Sequence, residues 1–209
     1  DYFLALCKSN IGGLGGVLPI NPRLERAIHN FDESEAEKIK EIEKTTNHDV
    51  KAVEYYLRNV FTEYGIGTSI EYIHFGLTSQ DINNTAFPLM LKEATQNVML
   101  PNLDELLNLL TAFASRYENL PMLAHTHGQP ASPTTFKKEI MVFVERLRHQ
   151  KEQLGQFGFV AKFGGATGNF NAHVCTFPDV DWKRFSDQFI ASLGLQRLQT
   201  TTQIAHYDN

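Results

Sequence analysis

The feature that restricts this chain most is the series Phe136, Ile140, Phe143, Leu147, Gln150 and Leu154, which steps alternately by four and three residues. Such steps keep one stripe of a 3.6-residue helix pointed at one partner, the pattern of a bundle seam. The spacing predicts a long helix opened by Ser132 as cap and Pro133 as first residue, with Gly155 just past its end. A helix of that kind cannot bury its stripe alone, so further helices must supply the facing surface.

The rest of the chain provides them. Ser34 and Glu37 form a capping-box pattern ahead of Ile39 and Ile42, predicting a helix that runs to Thr46. Asn47, His48 and Asp49 then interrupt it or cap the next one, where Val50, Val53, Leu57, Val60, Phe61 and Tyr64 recur at three and four until Gly65 and Gly67. Another helix starts near Ser79 or Gln80 and carries Ile82, Phe87, Leu89 and Met90. Leu103, Leu106, Leu107, Leu110, Phe113 and Tyr117 keep the same kind of face running, so Pro101 is expected to kink a continuing helix rather than separate two domains. Asp181 caps a last helix with Trp182, Phe185, Phe189 and Leu193, closed by Gly194. The glycine run at 12–16 lacks the third glycine of a dinucleotide fingerprint and the Lys-Ser/Thr of a P-loop, and reads as a loop. Between Gly158 and His173 the glycines predict a short hairpin or irregular excursion. The class is all-α: a small helical N-terminal domain over 1–77, incomplete at its start, then the first part of a truncated central helical bundle over 78–209.

Composition narrows the function. A net charge of -5 argues against a nucleic-acid surface and leaves small acidic substrates open. No apolar run approaches the ~20 residues of a membrane span, and no signal-peptide pattern opens the chain. Cys7 and Cys175 stand far apart without metal or redox spacing, read as small buried residues in a reducing cytoplasm. The chain opens at Asp1 in the apolar run Tyr2-Phe3-Leu4-Ala5-Leu6 and stops at Asn209 with no closing element, so it is expected to be part of something longer.

Polar residues crowd three places: Asn47-His48-Asp49, His74 with Thr78-Ser79-Gln80-Asp81, and His125-Thr126-His127. Helix starts expose free N–H groups and a positive dipole end, which favour anions. Taken alone, each cluster also reads as local capping: Asp49 serves equally well as a plain N-cap, and a histidine in a turn, such as His74, is more often structural than functional. Pro130 and Pro133 hold the third segment extended, which puts His125 and His127 on one face. A metal pair there lacks a third ligand at diagnostic spacing.

Five segments in chain order add to this reading: Thr46-Asn47-His48-Asp49-Val50-Lys51, His74-Phe75-Gly76-Leu77-Thr78-Ser79-Gln80-Asp81, Thr126-His127-Gly128-Gln129-Pro130, Gly164-Gly165-Ala166-Thr167-Gly168-Asn169, and Thr201-Thr202-Gln203-Ile204. Together they closely resemble the adenylosuccinate lyase family of the fumarase/aspartase superfamily, bacterial branch. The resemblance implies β-elimination of fumarate from adenylosuccinate and from succinylaminoimidazole carboxamide ribotide in purine biosynthesis, with no cofactor and no metal. It implies a cytoplasmic homotetramer whose active sites are shared between subunits, acting on a nucleotide and binding neither nucleic acid nor membrane. On the matching positions His127 is the general acid with Thr126 beside it. Thr78 and Ser79 hold the fumarate-side carboxylate, while Asn47, His48, Asp49, His74 and Gln203 contact substrate; His125 receives no role.

Two family features are missing from these 209 residues: the mobile loop rich in Ser, Met, Pro, Lys and Asn that carries the serine base, and the Asp-Gly-Arg-Tyr segment, which Arg23 in Asn21-Pro22-Arg23 does not replace by context. The chain alone is therefore expected not to turn over. Competing readings are a non-catalytic helical interaction module, a metal hydrolase on His125 and His127, or another superfamily lyase such as argininosuccinate lyase. Asn47-His48-Asp49 with His74-Phe75-Gly76-Leu77-Thr78-Ser79 favours the adenylosuccinate branch.

Overall fold

The computed structural model describes residues 1–17 and 31–206, so Arg23 and its neighbours lie outside the described residues. They pack as two compact units, Asp1–Leu89 with Phe159–Asn209, and Met90–Gly158. Helices dominate both, in agreement with the all-α reading. The boundary expected near Leu77 coincides with no edge of either unit.

The first unit is built on α1 (Tyr2–Lys8), seven residues of which Tyr2, Phe3, Leu4, Leu6 and Cys7 are buried. The apolar opening run is therefore core. Tyr2 lies 5.4 Å from Phe163 and 5.8 Å from Phe189 by ring centroids, and Phe3 meets Phe61 edge-on at 4.7 Å. The glycine run that follows forms a 3-10 segment, Ile11–Gly16, rather than a plain loop. Gly12 has φ +64, and a Cβ there would come within 2.3 Å of the Tyr72 hydroxyl. Only glycine lets the backbone approach that ring.

Helix α2 (Glu33–Thr46) is capped by Asp32, whose carboxylate accepts the Glu35 N–H at 3.1 Å and the Ser34 hydroxyl at 2.9 Å. The expected Ser34–Glu37 box is thus displaced: an aspartate two residues earlier is an equally good cap and recruits Ser34 as its donor. Asn47, at φ +49, ends α2, and α3 (Asp49–Glu63) starts at once. Helix α4 (Ser79–Ala94) passes through a π-helical turn, Thr95–Met99, into α5 (Leu100–Arg116), which has Pro101 in its first turn. Proline has no N–H and crowds the preceding carbonyls, and the wider turn accommodates both while the helix continues.

In the second unit the segment expected to lead extended into a helix is a β-hairpin, β1 (Pro121–Thr126) and β2 (Gln129–Thr135). The cap of α6 (Phe136–Gly155) is Thr135, accepting the Lys138 N–H at 3.3 Å, and not Ser132. Pro133 does not start the helix; it pairs with Leu123, which an isolated two-stranded ladder tolerates because each strand keeps a free edge. Lys151 reaches Asp104 and Lys137 reaches Glu118, so α5 and α6 run antiparallel. Val144 is fully buried while Phe143, in the expected seam, is 55% exposed. The stripe is real but is rotated by one residue towards Val144.

The glycine-rich segment takes the irregular form. Its two-residue strand β3 (Val160–Ala161) pairs in parallel with β4 (Gln196–Arg197), beyond α7 (Asn171–Thr176) and α8 (Trp182–Ser192). Asp181 caps α8 by accepting the Arg184 N–H, as expected. Cys7 is buried, but Cys175 is exposed, correcting its reading as buried. On a six-residue helix that buries His173, a side chain two positions on faces away.

His173 is fully buried among Phe75, Phe170 and Trp182, with centroids 5.5, 5.6 and 4.7 Å away, and its Nδ1 has no hydrogen-bond partner. Burial pushes its pKa down from 6.5 to about 4; Lys162 adds to this and Asp81 opposes it. The unfolded chain takes up this proton as pH falls through 6.5 while the folded chain resists, so His173 favours folding fully above 6.5 and loses that contribution as pH falls towards 4. Urea unfolding at pH 7.5 and pH 5 should differ by about 2 kcal/mol more for the unaltered chain than for His173→Gln. Leu6→Ala, which empties a fully buried position in α1, should cost about 3 kcal/mol in the same measurement.

Candidate functional site

Two helix starts form the polar site of the first unit. At α3, His48 is itself the cap: its Nδ1 accepts the Lys51 N–H at 3.2 Å. That role at Nδ1 puts the neutral ring's proton on Nε2, leaving Nε2–H as a donor for a ligand. Asp49 is not the cap but the first helical residue. Its carboxyl is held below the usual value by the Val50 N–H, with Asn83 and His48 assisting. Asn83 Nδ2 donates to Asp49 Oδ2 at 3.2 Å and so ties the start of α3 to α4.

His74 lies in the turn before α4, half-buried. Burial pushes its pKa down, Lys51 and His48 add to that, and Glu54 and Asp81 oppose it, so the ring is neutral at pH 7. Glu54 is 5% exposed, with Lys51 Nζ at 2.8 Å and Arg58 Nε at 3.0 Å. Burial works against its charge, but those two hydrogen bonds outweigh it and keep the carboxyl below its usual value. The start of α3, with Asn47, His48 and Asp49, is thus tied to α4 through Asn83, and His74 lies within electrostatic reach of His48 and Lys51; each helix N-terminus supplies a positive dipole end.

Thr78 and Ser79, both half-buried, stand at the start of α4. The Thr78 N–H donates to Asp81 Oδ2 at 2.8 Å, and the Thr78 carbonyl accepts the Asp81 N–H at 3.0 Å. The turn before them needs Gly76, at φ +67, because a Cβ there would fall 2.5 Å from the His173 ring. Gln203 is exposed on the closing segment, which Asn84 anchors by accepting the Ala205 N–H at 2.9 Å.

His125, Thr126 and His127 belong to the second unit and are exposed. Thr126 pairs with Gln129, and His127 at φ +51 with Gly128 at φ +76 makes the two-residue turn of the hairpin. Positive φ at both positions is the type I′ geometry that matches strand twist. The turn also breaks the two-residue alternation that would have put both rings on one face. Among the described residues, no group of three or more His, Cys, Asp or Glu side chains could hold a metal ion.

Sequence reasoning missed Lys162. It is fully buried, its Nζ donates to Asp81 Oδ1 at 2.8 Å, and Gly164 and Gly165 bring their N–H groups to the same carboxylate. The Thr-x-x-Asp pattern of Thr78 and Asp81 is a capping signal that marks the acceptor. Nothing local marks a lysine 81 residues away as its partner.

The family model described as Lyase matches residues 18–209. The adenylosuccinate lyase of Dictyostelium discoideum is 48% identical over 223 residues, covering 100% of this chain and 47% of that protein. The adenylosuccinate lyases of Legionella pneumophila (strain Corby) and Escherichia coli (strain K12) are 49% and 45% identical over 186 residues, each covering 88% of this chain and 41% of theirs. The chain thus spans less than half the length of these curated relatives. The 3-carboxy-cis,cis-muconate lactonizing enzyme from Pseudomonas putida has the same fold, with a TM-score of 0.73 over 96% of this chain and 44% of its own, at 21% identity. Sequence match and fold agree, and the chain belongs to the lyase family.

Proposed function

We propose that this chain forms part of a carbon–nitrogen lyase that eliminates fumarate from adenylosuccinate, leaving AMP, and cleaves succinylaminoimidazole carboxamide ribotide in the same way. The observation that carries this reading is the hydrogen bond from Asn83 to Asp49, which ties the start of α3, capped by His48, to the first turns of α4, which begins at Ser79. The relatives named above support the choice of substrate.

The elimination needs a base for the proton on carbon beside a carboxylate, stabilisation of the dianion that forms, and an acid for the departing nitrogen. Thr78 and Ser79, with the helix start behind them, hold the carboxylate on which negative charge grows. His48 donates through Nε2, neutral His74 orients the nucleotide half without adding charge, and Asn47, Asp49 and Gln203 contact the substrate. His127, with Thr126 beside it, protonates the leaving nitrogen; its place at the tip of a rigid hairpin suits delivery of a proton to a group held elsewhere. The serine base comes from a segment outside these 209 residues. In this reading the enzyme is a cytoplasmic homotetramer with active sites shared between subunits, and the family's domain boundary falls near Leu77.

Two measurements test this. These 209 residues alone should release no fumarate from adenylosuccinate, followed by ultraviolet absorbance; turnover would contradict the assignment of the base. In the full-length enzyme His127→Ala should lower kcat by about 100-fold or more without shifting the melting temperature, and near-native activity would remove His127 from the mechanism.

A further inference from the structure

The Asp81 carboxylate accepts hydrogen bonds from three separate places. Oδ2 takes the Thr78 N–H at 2.8 Å and the Gly165 N–H at 3.1 Å, while Oδ1 takes Lys162 Nζ at 2.8 Å and the Gly164 N–H at 2.9 Å. Lys162 Nζ also donates to the Gly165 carbonyl, so cation and carboxylate grip the same turn. Both side chains are wholly buried. An ion pair taken out of water returns little net stability compared with apolar side chains of equal volume. What apolar side chains could not do is satisfy three backbone N–H groups and thereby fix the turn before α4.

The same face of α4 continues one turn on. Asn84, three residues from Asp81, accepts the Lys162 N–H on its carbonyl at 3.4 Å and the Ala205 N–H on its Oδ1 at 2.9 Å. Ala205 stands two residues beyond Gln203. With the Thr78 N–H committed to Asp81, the donors left to this helix start are the Ser79 and Gln80 N–H groups and the Thr78 and Ser79 hydroxyls.

We propose that Asp81, Lys162 and Asn84 are positioning residues: Asp81, held by Lys162, sets the Thr78-Ser79 turn, and Asn84 sets the segment carrying Gln203, so that together they fit a small dicarboxylate. None of the three touches the ligand. The inference rests on the reading of Thr78 and Ser79 as a carboxylate-binding pair.

Fumarate titrated into the 15N-labelled chain tests it, with Thr78, Ser79 and Gln80 amide shifts as the readout. The unaltered chain should show saturable shifts. The apolar pair Asp81→Leu with Lys162→Met should weaken fumarate binding at least tenfold while keeping its helical circular dichroism. The amide pair Asp81→Asn with Lys162→Gln, which still accepts the Thr78 N–H and still donates to Gly165, should bind within threefold of the unaltered chain. A folded apolar pair that binds normally, or an amide pair that fails to restore binding, overturns the inference. Should the apolar pair not fold, hydrogen exchange decides: in the amide pair, Thr78 and Gly164 N–H exchange that quickens more than 100-fold with fumarate affinity unchanged also overturns it. No shift in the unaltered chain would instead defeat the carboxylate-pair reading itself, an outcome seen before any substitution is made.

Discussion

A carboxylate cut off from water must be matched group for group, and much of the first unit is arranged around the matching of Asp81. Its partners come from the turn before α4, from Lys162, and from Gly164 and Gly165. Those demands fix neighbours that are not themselves charged. Gly76 and Gly165 have to lack side chains because His173 and the Gly76 carbonyl fill the space. His173 in turn fills the gap between the turn and the aromatic core, and Tyr2 of α1 closes the set by donating its hydroxyl to the Phe75 carbonyl at 2.8 Å. One buried anion thus links the first helix, the turn at 74–79 and the glycine segment, whose sequence separations exceed 70 residues.

Local chemistry was legible in the sequence where one residue decides it. Asp181 caps α8, Asn47 and His48 end one helix and begin the next, and Pro101 leaves its helix running. Periodicity also gave the helices, but not which side of each is covered. Phe143 and Val144 are adjacent and both apolar, yet Val144 is buried and Phe143 is exposed. A 3.6-residue period identifies a stripe to within about one position, and packing chooses the rest. Where two nearby residues offer comparable caps, as Asp32 and Ser34 or Ser132 and Thr135 do, the sequence supplies candidates and the backbone path selects among them.

Long-range pairing was not legible at all. The parallel contact of Val160–Ala161 with Gln196–Arg197 involves two residues on each side, too few for an alternation to show. The same holds for Lys162, whose burial contradicts every local expectation for a lysine and makes sense only beside Asp81. Of the candidate site, the α3 and α4 clusters were visible as histidines and hydroxyls at helix starts. Their link through Asn83 was not, because an asparagine within a helix carries no mark of the partner it reaches.

The turn at His127 has one more consequence. Left-handed backbone suits glycine and asparagine and strains most other side chains by about 1 kcal/mol or more, yet a histidine occupies it at φ +51. A sequence selected for a stable hairpin alone would place asparagine there, before Gly128, and gain from it. The tip of this hairpin therefore carries a side chain other than the one its own turn geometry prefers, and the ring is presented at a cost in local backbone energy.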